Sequence, residues 1–95
     1  MKFTEKLKEL RNANNLSQRQ IAALLKIDVS VYNRFEKGER IMKRDMVIRV
    51  ADLYNVSHEE LLKYWLAIQI YSLLNKEELA PEVIEMVSED IKSLK

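Results

Sequence analysis

Ninety-five residues make a single domain's worth of chain, and the absence of cysteine excludes a disulfide framework and a thiolate metal site. One glycine and one proline, against abundant Leu, Ile, Lys and Glu, predict an all-α fold. The net charge of +1 hides an asymmetry: residues 1–50 carry 12 Lys/Arg against 6 Asp/Glu, and residues 51–95 carry 4 against 9, net +6 and −5. A basic half suits an anionic partner, and an acidic, apolar half suits water or protein. The N-terminus has charges every two or three residues and no apolar core of a signal peptide. The most apolar stretch, Tyr64 to Leu74, is too short to span a bilayer. A soluble, cytoplasmic protein without a membrane partner is expected.

The first helix is predicted from Thr4 to Asn14, with Phe3, Leu7 and Leu10 at helical spacing. Asn12, Asn14 and Asn15 close it, because asparagine tolerates the left-handed region. Ser17-Gln18-Arg19-Gln20 is a capping box that opens the second helix, whose inner face is Ile21, Ala22 and Leu25. After a turn at Lys26-Ile27, Asp28 is the expected N-cap of a third helix over Val29–Lys37, ended by Gly38. At about 100° per residue, Val31, Tyr32 and Phe35 share one side of it. Val29, Ser30, Asn33, Arg34 and Lys37 share the other, which is short, polar and basic.

A loop from Glu39 to Lys43 brings Arg40, Lys43 and Arg44 together in sequence before a fourth helix, Arg44 to Tyr54. Ser57-His58-Glu59-Glu60 reads as a second capping box and opens a long fifth helix reaching Leu74. Its apolar residues cover more than one face, so packing on its own domain leaves a stripe over. Pro81 suits the first turn of a sixth helix, with Val83, Ile84, Val87, Ile91 and Leu94 along one face. His58 has no cysteine or second histidine to share a metal, and no acid, base and nucleophile set converges. Neither an enzymatic activity nor a cofactor is expected, and no small-molecule ligand is evident.

The run Leu16-Ser17-Gln18, then Ile21-Ala22, Leu25, Tyr32 and Phe35-Glu36-Lys37-Gly38-Glu39-Arg40 resembles the phage repressor/Cro type of helix-turn-helix family. The resemblance covers residues 3 to about 62. It implies a five-helix bundle binding double-stranded DNA, with the third helix in the major groove. Residues 1–62 are then the DNA-binding domain, and 63–95 an extension containing the lengthened fifth helix and the sixth. The resemblance makes Val29, Ser30, Asn33 and Arg34 base readers, with Lys37 on the same face. It places Gln18 and Arg19 over the sugar-phosphate backbone, and Arg40, Lys43 and Arg44 on phosphates at the other flank. Arg11 and Glu36 match positions where the family often carries a bracing ion pair. Two departures stand out. Lys26 occupies a turn position that is usually glycine, which points to an altered turn, and Val29 replaces a polar residue, leaving only methyl contacts to a base.

The extension's Tyr64-Trp65-Leu66-Ala67 run resembles small regulators that accompany bacterial DNA methyltransferase and restriction–modification genes. Surplus apolar surface on the fifth helix implies a homodimer reading a palindromic operator, with Trp65, Ile68, Tyr71, Ile84 and Val87 at the interface. The competing arrangement is a hairpin in which the sixth helix covers the fifth within one chain. An antitoxin and a protein-interaction adaptor are the rival functions for this fold.

Overall fold

The computed structural model describes residues 2–94. Among them are six helices and no strand, in the order read from the sequence. The first, α1 (Lys2–Ala13), begins two residues earlier than predicted, because Phe3 is buried and holds the first turn against the core. Asn14 closes it through Nδ2 to the Leu10 carbonyl at 2.7 Å, and Asn15 takes a left-handed φ of 56°. The capping box of α2 (Gln18–Leu25) is complete: the Gln20 N–H donates to Ser17 Oγ at 3.1 Å, and the Ser17 N–H to Gln20 Oε1 at 2.8 Å.

The expected alteration of the next turn does not occur. Lys26 itself takes the left-handed conformation, φ 59° and ψ 45°. The turn is held by the Ile27 N–H to the Ala22 carbonyl at 3.0 Å and by Arg49 Nη2, which donates to the Leu25 carbonyl at 3.0 Å. Those bonds offset the crowding a side chain meets there. Lys26→Gly should therefore raise stability by roughly 0.5–1 kcal/mol, relief of that crowding being partly offset by a freer unfolded chain; a urea unfolding curve checks it.

Next comes α3 (Val29–Lys37), for which Asp28 supplies the extended N-cap backbone but no side-chain capping bond. Its carboxylate acts there only as a charge near the positive helix end. Gly38 ends the helix at φ 76°. Then α4 (Arg44–Tyr54) stops at Asn55, also left-handed. The second capping box is half formed: Ser57 Oγ accepts from the Glu60 N–H, while the Glu60 carboxylate turns to Lys6 at 3.9 Å. This opens α5 (His58–Leu74), and Pro81 lies in the first turn of α6 (Ala80–Ser93).

One core joins the first five helices. Phe3, Leu7, Ile21, Leu25, Tyr32, Phe35, Val47, Val50, Leu61 and Ile68 are buried in it, together with Met42 from the α3–α4 loop. One predicted interface residue, Ile68, is thereby corrected. Ile68 is 7% exposed and belongs to the core of its own chain, and Trp65 is half-buried against that core. Both face the bundle because α5 turns them toward the loop that Met42 plugs. Tyr71, Ile84 and Val87 remain about half exposed.

No residue of α6 is buried, so it does not cover α5 as a hairpin would. Between them runs an open groove of about 460 Å³, lined by Ile70, Leu73, Leu74, Val83, Ile84, Val87 and Ile91. The projecting pair lengthens the molecule to 42 × 29 × 20 Å. Its radius of gyration, 15.2 Å, exceeds the ~12 Å of a compact chain of this length.

Candidate nucleic-acid interface

The amphipathic pattern of α3 settles which side faces out. Tyr32 and Phe35 point into the core, so they are not available to stack on bases. Val29, Ser30, Arg34 and Lys37 are exposed, and Asn33 is half-buried. At the start of α2, Arg19 is exposed. Arg40 and Lys43 lie in the loop before α4, and Arg44 is the first residue of that helix, all exposed. Lys43 and Arg44 thus put two positive charges at a helix N-terminus, where the helix dipole favours anions. Asp45 in the same turn offsets part of that charge, its Oδ1 accepting from the Met46 N–H at 3.1 Å.

Behind this surface lies a buried carboxylate. Glu36 is 1% exposed and collects four hydrogen bonds. Arg11 donates through Nε to Oε2 at 2.7 Å and through Nη2 to Oε1 at 3.1 Å. The Tyr32 hydroxyl donates to Oε2 at 2.5 Å, and Gln18 Nε2 to Oε1 at 3.0 Å. Arg11 Nη1 also donates to the Leu16 carbonyl at 3.0 Å. Burial alone would push the Glu36 carboxyl up, but the bonds from Arg11, Tyr32 and Gln18 outweigh it and hold it below the usual carboxylate range. The Arg11 guanidinium is raised, chiefly by its bond to Glu36. Burial, then the bond to Glu36, raises the Tyr32 phenol, which stays a donor.

Gln18 opens α2, and its side chain is engaged within the chain. Its amide is half-buried, with Nε2 on Glu36 and Oε1 accepting from Asn33 Nδ2 at 3.0 Å. It bridges the α2 N-terminus to α3. Asn33 is left with its carbonyl oxygen and one N–H. The chain Arg11–Glu36–Gln18–Asn33 therefore ties the orientation of a predicted base reader to three helices. The spacing of Tyr32 and Glu36, four residues apart on one helix, is the local signal for part of this cluster. The Gln18 contacts join residues 15 and 18 positions apart and leave no local signal.

Two further groups hold the frame. Arg49 fastens α4 to the end of α2 through the Leu25 carbonyl. Trp65 Nε1 donates to the Met42 carbonyl at 2.8 Å, and the Arg44 guanidinium lies 5.9 Å from the Trp65 ring centroid. Neither Met42 nor Arg49 stood out in the sequence, because a lone methionine in a loop and an arginine on a helix look like ordinary surface.

His58 Nε2 lies 2.5 Å from Asp52 Oδ1 on the surface. Among the described residues no cluster of three or more His, Cys, Asp or Glu is placed to hold a metal ion. Among the described residues no helix is long and apolar enough to cross a membrane.

The helix-turn-helix family matches residues 7–61, more than half of the chain. Among curated proteins, the cryptic phage CTXphi transcriptional repressor RstR of Vibrio cholerae serotype O1 (strain ATCC 39315 / El Tor Inaba N16961) is 28% identical over 98 aligned positions. The alignment covers 96% of this chain and 88% of the repressor. No solved structure matches the chain. With its turn geometry, its polar third-helix face and this match, the chain belongs to the phage repressor/Cro-type helix-turn-helix family of DNA-binding transcriptional regulators.

Proposed function

We propose that this chain is a sequence-specific regulator that binds a palindromic operator as a homodimer, with α3 in the major groove. The observation that carries the reading is the outward face of α3, where Val29, Ser30, Asn33, Arg34 and Lys37 lie between the basic flanks of Arg19 and of Arg40, Lys43 and Arg44. Arginine suits guanine, asparagine adenine, and valine a thymine methyl. The flanking cations suit phosphates, which position the domain without reading sequence. The similarity to a phage repressor favours repression of a phage-type promoter over a restriction–modification setting.

A lone unit of this kind reads few base pairs, and twofold pairing places two recognition helices about one DNA turn apart. The apolar faces of α5 and α6 support the pairing. Leu66, Ile70, Tyr71 and Leu73 on α5, and Ile84, Met86, Val87 and Ile91 on α6, are 46–81% exposed in the single chain. Ile70, Leu73, Ile84, Val87 and Ile91 among them line one open groove, and apolar surface exposed together in this way marks an interaction site. The interface accordingly uses Tyr71, Ile84 and Val87 from the sequence reading, and Leu66, Ile70 and Leu73 in place of Trp65 and Ile68.

The test is a gel-shift titration at two salt concentrations, with DNA from immediately upstream of the gene beside a random duplex of equal length. Tight, salt-sensitive binding to the upstream DNA alone is expected. Equal weak binding to both duplexes would count against a self-regulated operator. Arg34→Ala should weaken operator binding by about 1–3 kcal/mol and leave random-duplex binding much less affected. An equal loss on both DNAs would make Arg34 a phosphate contact.

A further inference from the structure

The α3–α4 loop presents a structural problem. Residues 39–43 have no regular secondary structure, yet Arg40 and Lys43 lie within them and Arg44 follows directly. Backbone that leaves a helix must find other partners for its polar groups, and loop side chains gain precision only when the loop is fastened. The fastening comes from α5. Met42 is 2% exposed, its side chain plugged into the core. Its carbonyl accepts from Trp65 Nε1 at 2.8 Å. Gly38, Arg40 and Ile41 also line a narrow cleft together with Ile68 and Ser72 of α5. The Trp65 ring lies 5.9 Å from the Arg44 guanidinium, within reach of a cation–π attraction.

The geometry points to Trp65 as a positioning residue for DNA binding: it holds the 40–44 segment so that Arg40, Lys43 and Arg44 meet phosphates together. This inference rests on the DNA-binding reading above. Trp65 lies beyond residues 7–61, the span matched by the family, so the extension fastens the phosphate-contacting flank as well as offering an apolar face. Indole suits the role, being rigid and pairing one donor with a broad face. The side chain also turns away from the exposed face of α5. Trp65 and the neighbouring Leu66 therefore have separable roles, one in DNA binding and one in pairing.

The test uses Trp65→Phe, which keeps an aromatic ring and loses the N–H donor, and a random-sequence duplex, because phosphate contacts do not depend on sequence. The variant should bind about three- to tenfold more weakly, the range of one missing hydrogen bond. Its slope of log affinity against log salt should fall by about 0.9 for each phosphate the loop no longer engages. Its monomer–dimer equilibrium by sedimentation should match the wild type. Wild-type affinity and salt slope in the variant would overturn the inference, as would weaker binding explained entirely by dimer dissociation. If the variant does not fold, the wild type still decides. Trp65 is its sole tryptophan, so its emission should change with duplex DNA and saturate in step with binding. Unchanged emission at saturating DNA would overturn the inference. A wild type that binds no duplex at all would instead sink the DNA-binding reading beneath it.

Discussion

Replacing Glu36 with alanine should lower the free energy of unfolding by roughly 3–5 kcal/mol, the range for breaking a buried ion pair from one side. The substitution strands three donors at once: the Arg11 guanidinium, the Tyr32 hydroxyl and the Gln18 amide. Arg11 has a side chain only 16% exposed, so water replaces the missing carboxylate poorly. Urea unfolding with an unchanged slope would measure the effect. A loss below about 1 kcal/mol, typical of exposed pairs, would mean that the carboxylate is not the hub the geometry indicates. The same residue gives a pH signature. Its folded carboxyl lies below the ordinary value of 4.5, so its stabilisation is complete above about pH 4.5 and is lost as pH falls through the folded value. The alanine variant should lose that part of the acid sensitivity. Operator discrimination should fall as well, because Gln18 no longer holds Asn33 against a fixed point.

Val87→Glu should split the proposed homodimer while leaving the single chain's fold intact. Val87 is 49% exposed in the isolated chain, and substitutions at such positions change stability by only about 0.5 kcal/mol. At a twofold interface the same residue enters twice, and each unpaired carboxylate loses its water. The dimer dissociation constant should rise by at least roughly 100-fold, about 3 kcal/mol. Operator affinity should fall with it, and helical content by circular dichroism should not. Ile84→Glu is the parallel variant on the same face, also 49% exposed. A variant that stays dimeric at the same concentration would move the interface off α6.

These two expectations differ in how visible they were in the chain. Local signals marked the helices: the Ser17–Gln20 box, Gly38 after Lys37 and Pro81 in a first turn. Such signals act within one turn of a helix, so sequence resolves them. The Arg11–Glu36 pairing came from the family resemblance, because nothing local links residues 25 positions apart. Lys26 shows the limit in the other direction. Its propensity argued for a different turn, and bonds from Ile27 and Arg49 held the left-handed one in place.

By itself the sequence determined an all-helical chain, the outward polar face of α3, the basic first half and the apolar surplus of the second. Those properties follow from periodicity, capping and charge, which are written locally. Tertiary structure alone decided that Gln18 turns inward to Glu36 and Asn33, that Ile68 is buried in its own core, and that Trp65 reaches the Met42 carbonyl. Apolar periodicity says that a helix buries a stripe; which stripe meets the bundle and which stays open depends on how α1, α5 and the α3–α4 loop pack in three dimensions.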